Sequence, residues 1–176
     1  MKQMEFKICA LTGHRPKGFP WNYRDKSCKE QKEYLKMLED TIIELIEKDG
    51  FNYFISGGAI GADQDFAEIV IKLKKHYPNI QLEIAVPCPN QDVKWNSSDK
   101  ARYKQILENS DLVNILSTSY TPNCMQKRNE YMVDKSDFVI VVWNGEPTGG
   151  TYNTLCYIKH LNKSYEIINL KSENGK

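Results

Sequence analysis

The 176-residue sequence lacks most of the features that mark membrane, secreted or nucleic-acid-coating proteins. No apolar run approaches the roughly 20 residues needed to cross a bilayer. Met1–Phe6 carries Lys2 and Glu5 and has no apolar stretch of the kind that directs secretion. The five cysteines (Cys9, Cys28, Cys88, Cys124, Cys156) are odd in number and scattered, with no C-x-x-C pair. Reduced thiols in a cytoplasmic protein are therefore expected, rather than a disulfide framework. The three histidines, His14, His76 and His160, are equally dispersed, so neither a metal site nor a resident cofactor is expected. An excess of one charge is also missing: 24 Lys and Arg stand against 23 Asp and Glu, a net of +1. Such balance argues against a protein that holds nucleic acid through a broad basic field, but it allows a small basic pocket.

What the sequence does have is a regular alternation of strand and helix signals. Apolar runs at 6–11, 53–55, 80–86, 112–116, 138–143 and 165–170 read as strands. Between them, 30–48, 62–76, 99–109, 124–135 and 151–161 read as helices. The first places Tyr34, Leu35, Leu38, Ile42, Leu45 and Ile46 on one face and stops at Gly50. The six apolar residues Phe138–Trp143 suit a strand buried on both faces. Repeated strand–helix units predict one α/β domain over 1–171, a three-layer sandwich with a mostly parallel sheet, followed by a polar tail at 172–176.

Ligands of such sheets bind beyond the carboxyl ends of the strands. The segments expected there are Thr12-Gly13-His14-Arg15-Pro16, Ser56-Gly57-Gly58-Ala59-Ile60-Gly61-Ala62-Asp63, Pro87-Cys88-Pro89-Asn90, Ser117–Tyr120, and Asn144 through Thr151. Gly, Ser and Thr gather on that one edge. Gly57, Gly58 and Gly61 precede one helix, and Gly149, Gly150 and Thr151 precede another. Helix starts offer free N–H groups and a partial positive charge to a phosphate, although the same glycines also permit tight turns. No Gly-Lys-Ser/Thr follows, so the loop is not of the Walker A type. Ser56 replaces the first glycine of a dinucleotide fingerprint, and no acidic residue follows to hold an NAD ribose. Arg128 shares a helical face with Met125 and Met132, so it needs an anionic partner or a solvated crevice. Arg15 is a second candidate phosphate contact. Asp63, in the first turn of its helix, stabilises that terminus or serves as a ribose-hydroxyl acceptor or general base. The long loops Gly13–Lys29 and Pro89–Ser98 carry Phe19, Trp21, Tyr23 and Trp95, which either stack on a base or cover the sheet end.

The TGHRP segment at Thr12–Pro16, the Ser56–Asp63 loop, Arg128-Asn129-Glu130-Tyr131-Met132-Val133-Asp134, and Gly149-Gly150-Thr151-Tyr152-Asn153-Thr154 together resemble the YpsA-like branch of the SLOG superfamily. The likeness runs in order over nearly the whole chain. It implies a Rossmann-like fold and a nucleotide-derived ligand, such as an ADP-ribose-like or cyclic nucleotide species, that is sensed or sequestered; some SLOG domains of bacterial anti-phage systems are read in that way. The ligand set implied is Thr12, Gly13, His14, Arg15, Ser56, Gly57, Gly58, Gly61, Asp63, Pro87, Arg128, Asn144, Gly149, Gly150, Thr151 and Asn153. The related LOG phosphoribohydrolases cleave an N-glycosidic bond with an Arg, matched in context by Arg128, and a Glu in a PGGxGTxxE motif. Thr154 stands nearest the place of that Glu, which disfavours hydrolysis unless Asp63 or Glu130 substitutes. Two alternatives follow: a nucleotide N-glycosidase, and a single-stranded DNA binder like the DNA-processing relatives. The expected partners are a small nucleotide-derived molecule and a second copy of the chain, since relatives assemble, with neither a membrane nor nucleic acid.

Overall fold

A computed structural model describes residues 5–171. The tail predicted at 172–176 lies outside the described residues. Five strand–helix units and a final strand follow one another: β1 (Ile8–Gly13), α1 (Lys29–Asp49), β2 (Tyr53–Ser56), α2 (Ala62–Leu73), β3 (Gln81–Val86), α3 (Ser97–Glu108), β4 (Leu112–Ile115), α4 (Cys124–Lys135), β5 (Phe138–Trp143), α5 (Gly150–His160) and β6 (Ser164–Asn169). The six strands form one sheet in the order β4-β3-β2-β1-β5-β6. Every pairing is parallel, where the sequence predicts a mostly parallel sheet. With helices on both faces, this is a three-layer Rossmann-like α/β fold.

Side-chain alternation along the central strands builds the layers. In β5, Ile140 and Val142 enter a core with Leu11, Phe54, Phe66 and Leu38, on the side of α1 and α2. Their neighbours Val139 and Val141 point the other way, onto Val133, Leu155 and Ile158 of α4 and α5. A buried aliphatic side chain contributes roughly 1.5–3 kcal/mol, so the six-residue apolar run of β5 stabilises both layers at once. A smaller cluster of Ala10, Ile55, Ala85 and Met132 continues the α4 side. There the fully buried Glu83 is held by Tyr53, Tyr131 (2.7 Å) and Lys135 (3.1 Å). These three donors outweigh the cost of burial and hold the carboxyl below its ordinary range.

The predicted boundaries shift mostly at helix and strand ends. β1 begins two residues later than the apolar run and extends through Thr12 and Gly13, which pair with Val141 and Val142 of β5. α2 stops at Leu73, and 74–76 continue only as a turn. Strand order reverses between β1 and β5, because β1 leads to β2 on one side and β5 leads to β6 on the other. In an open α/β sheet that reversal opens a crevice at the carboxyl ends.

Candidate functional site

The crevice is assembled from four chain segments that are distant in sequence. At the end of β1, the His14 backbone oxygen accepts a hydrogen bond from the Ala62 N–H at the start of α2 (3.0 Å). The fit is tight: a Cβ on Gly61 would lie 2.4 Å from that oxygen, and Gly61 has φ +112°. Both facts require glycine here. Partial burial holds the His14 pKa below the ordinary histidine value, opposed by Asn144 at the end of β5. His14 Nε2 is buried and has no partner among the described residues. Asn144 in turn donates to the Gly18 carbonyl (2.9 Å), tying the β5 end to the loop after β1.

Ser56, Gly57, Gly58, Gly61 and Asp63 are all buried. Ser56 Oγ donates to the Asp63 carbonyl (2.7 Å) and accepts from the Gly58 N–H (3.2 Å). Asp63 Oδ2 accepts from the Ala59 N–H (3.3 Å). The Gly57 carbonyl accepts from Arg128 Nη1 (2.7 Å) and from Gln91 Nε2 (3.3 Å), and the Gly58 carbonyl from Gln64 Nε2 (3.1 Å). This loop is thus laced to its own surroundings, and the carboxylate in its first helical turn comes from the chain itself.

Arg128 is only 3% exposed. Its Nε donates to Asn129 Oδ1 (2.9 Å) and its Nη1 also reaches the Ala85 carbonyl (3.4 Å). A Cβ on Gly57 would meet the Arg128 guanidinium at 2.6 Å and Asp63 Oδ2 at 2.7 Å, so the two charged groups flank a backbone that has no room for a side chain. Burial raises the Asp63 pKa above the ordinary carboxylate value, opposed first by Arg128 and also by Arg15. Burial likewise lowers that of Arg128, opposed first by Asp63, while Arg15 adds to the lowering. Arg15 and Arg128 approach the same sulfur, Met125 Sδ, at 3.9 and 4.0 Å. Arg15 is exposed and forms no ion pair among the described residues. Two guanidinium groups therefore converge where one carboxylate stands, leaving a local surplus of positive charge.

The segment entering α5 differs. Gly149 and Gly150 are exposed, and a Cβ on either would meet nothing within 4 Å. No side chain caps α5, and the N–H groups of Gly150, Thr151 and Tyr152 donate to no acceptor among the described residues. The Asn153 N–H returns to the Gly149 carbonyl (2.9 Å) with its side chain exposed, while Thr151 is buried. Thr12 and Pro87 are buried at the ends of β1 and β3. Thr154 is 1% exposed, with its hydroxyl on the Gly150 carbonyl (2.9 Å). Glu130 lies on the α5 side of α4, close enough to Tyr157 to raise its pKa, and apart from Arg128.

Sequence reasoning missed the polar network that fastens the loop after β1. Asp65 is buried and accepts from Tyr23, Tyr34 and Arg102, each at 2.8 Å; Arg102 also pairs with Glu68. Arg24 grips Asp99 with both terminal guanidinium nitrogens, each at 3.0 Å. Phe19 and Tyr23 are buried, and Phe19 packs on both Tyr23 and Tyr34, so these loop aromatics belong to the core rather than to an open stacking surface. Beside this network lies an open depression of about 860 Å³ among α1, α2 and α3, lined by Arg24, Asp65, Asp99 and Arg102, whose charges are already paired. The alternating acids and aromatics carry no spacing signal, because their partners arrive from four elements.

The described residues include no cluster of His, Cys, Asp and Glu that could hold a metal ion, and no helix long and apolar enough to cross a membrane. Comparison with known proteins bears on the whole arrangement. The YpsA family model, described as the YspA SLOG family, matches residues 9–174. The chain is 38% identical over 130 residues to the uncharacterized SPbeta prophage-derived protein YoqJ of Bacillus subtilis, covering 67% of this chain and 75% of that one. It is 34% identical over 149 residues to a UPF0398 protein of Halalkalibacterium halodurans, covering 81% and 75%. A UPF0398 protein of Staphylococcus epidermidis is 29% identical over 143 residues, covering 80% and 74%. Since the family match takes in all the segments that form the crevice, from Thr12 to Asn153, the chain belongs to the YpsA family of SLOG proteins.

Proposed function

We propose that this chain binds a nucleotide-derived anion, of the ADP-ribose-like or cyclic nucleotide class, at the carboxyl edge of its sheet, and that it acts there as a sensor or sequestering protein. One observation carries this reading: the guanidinium groups of Arg15 and Arg128 converge on Met125 with only Asp63 to oppose them. Such a surplus recruits an anion, and a planar guanidinium suits phosphate. The uncapped start of α5 adds free N–H groups on the same sheet edge. Arg15, being exposed, meets the ligand directly; Arg128, bonded to the Gly57 carbonyl, supplies charge from beneath the loop. Asp63 accepts from a ribose hydroxyl or tunes that charge.

Binding is favoured over N-glycosidic cleavage because the position of the expected carboxylate holds Thr154, which is buried and already bonded. The deciding experiment incubates the protein with a panel of nucleotides and NAD derivatives and follows bound and released species by mass spectrometry. An intact ligand recovered from the protein is the expected result. Release of free base or ribose phosphate at a catalytic rate would replace this reading with a hydrolase, and selective retention of single-stranded DNA would replace it with a DNA-binding role.

A further inference from the structure

Two of the five cysteines belong to neighbouring segments at the rim of the sheet. β3 ends at Val86, and Cys88 follows between Pro87 and Pro89. The ring of Pro87 fixes its own φ, and Pro89 holds the residue before it extended, so the backbone has little freedom to move this thiol. Cys124 is the first residue of α4. Both are buried, with 2% and 3% exposure.

The packing of α4 on β3 brings the two together. Along β3, Glu83 meets Lys135 (3.1 Å) and Tyr131 (2.7 Å), and the Ala85 carbonyl then meets Arg128 Nη1 (3.4 Å), so strand and helix run antiparallel. One turn nearer the helix start, on the face that carries Arg128, stands Cys124, about 6 Å farther along the axis. The chain leaving β3 climbs in the same direction, and Cys88 follows Ala85 by three residues. The electrostatics agree: burial raises the Cys88 pKa, Cys124 adds to the rise and Arg128 opposes it, so both groups neighbour this thiol. The other cysteines lie elsewhere. Cys9 faces the core under α1 and α2, Cys28 precedes α1 with its sulfur on Glu30 (3.0 Å), and Cys156 is exposed on α5.

We infer that Cys88 and Cys124 are a redox pair: a hydroperoxide converts them to an intramolecular disulfide that fastens the start of α4 to the end of β3, and a dithiol releases it. One thiolate attacks the peroxide O–O bond, becoming a sulfenic acid and expelling hydroxide. The second thiolate attacks that sulfur, the S–S bond forms and a second hydroxide leaves. The two thiol protons end on the two hydroxides, so the sulfurs are oxidised and hydrogen peroxide is reduced to two waters. The oxidant enters at the start of α4, where no side chain caps the helix and residues 118–120, 122 and 123 ahead of it are exposed, so the first turn opens more readily than the rest. The bond fixes the turn that carries Met125 beside both arginines.

The test treats the native full chain with hydrogen peroxide, then alkylates, digests and maps it by mass spectrometry without reduction. A peptide pair joined through Cys88 and Cys124, lighter by two hydrogens and separated by dithiothreitol, is expected as the dominant disulfide. The same treatment in denaturant should lose that preference. Oxidation should slow hydrogen exchange of the amides from Lys127 to Tyr131 at least about tenfold. Cys88→Ser should abolish both effects, and Cys156→Ser should leave both unchanged. If Cys88→Ser does not fold, the joined peptide and the exchange of the native chain decide. The inference is overturned if peroxide leaves both thiols free or carries either to a sulfinic acid without pairing. A bond to Cys9, Cys28 or Cys156 instead, an equal preference in denaturant, or exchange that does not slow overturns it as well.

Discussion

The loop after β2 and the loop before α5 are both glycine-rich, both leave the same sheet edge and both enter a helix, yet their backbones are engaged in opposite ways. In the first, Gly57, Gly58 and Gly61 are buried and the Gly57 and Gly58 carbonyls accept from Arg128, Gln91 and Gln64. In the second, Gly149 and Gly150 are exposed, with nothing within 4 Å of either would-be Cβ. The first holds Arg128 and Asp63 in place; the second leaves the N–H groups of Gly150, Thr151 and Tyr152 without an acceptor among the described residues. Glycine is thus used for close packing in one loop and for open access in the other, a difference that the residue type does not reveal.

Substitutions can break that contrast. The largest effect is expected from Arg128→Ala, which strands Asp63 in a buried site and should cost about 3–5 kcal/mol, a drop on the order of 10 °C in Tm by calorimetry. An unchanged Tm would mean that the closed loop does not depend on its buried cation. Next is Gly57→Ala: its Cβ would press on the Arg128 guanidinium and Asp63, so about 2–3 kcal/mol should be lost in denaturant unfolding. The matching change in the open loop, Gly150→Ala, should move stability by less than about 0.5 kcal/mol, since the site is exposed and starts a helix. Equal losses from the two glycines would erase the comparison.

Arg15→Ala sharpens it from the ligand side. Arg15 is exposed and unpaired among the described residues, so Tm should hold while affinity for the preferred nucleotide falls about tenfold, near 1.4 kcal/mol, in titration calorimetry. The smallest effect concerns pH. Burial raises the folded-state pKa of Asp63 above its unfolded value, so the stability linked to its protonation is fully present below the unfolded pKa and lost as pH rises through the folded one. In the same direction, protonating Asp63 leaves both arginines unopposed, so anion affinity should strengthen as pH falls through the upper carboxylate range. Asp63→Asn should flatten that dependence; a slope that survives the change would assign it to another group.

Much of the candidate site was legible in the sequence because it lies where any parallel α/β sheet presents its loops. The apolar runs at 6–11, 53–55 and 138–143 were enough to place the strand ends, and with them Thr12–Arg15, Ser56–Asp63 and Asn144–Thr151. Arg128 stood out by its spacing from Met125 and Met132. Its role beneath Gly57 was not legible, since that depends on the approach of α4 to the β2 loop. Nor was the fate of Phe19 and Tyr23: an aromatic in a long loop reads the same whether it stacks on a ligand or seals the core. The Asp65–Tyr23–Tyr34–Arg102 network was invisible for the same reason, as its members are separated by up to 79 residues.

By itself, then, the sequence determined the alternation of elements, the edge at which the glycine-rich loops gather and the near-neutral average charge that hides two convergent arginines. These follow from local periodicity and from the chirality of strand–helix–strand connections, which leave little choice of arrangement. Only the tertiary structure decided which glycine loop is closed and which open, and that Asp63 opposes Arg128. Those outcomes depend on contacts between residues far apart in the chain, and their energies are set by burial rather than by residue type.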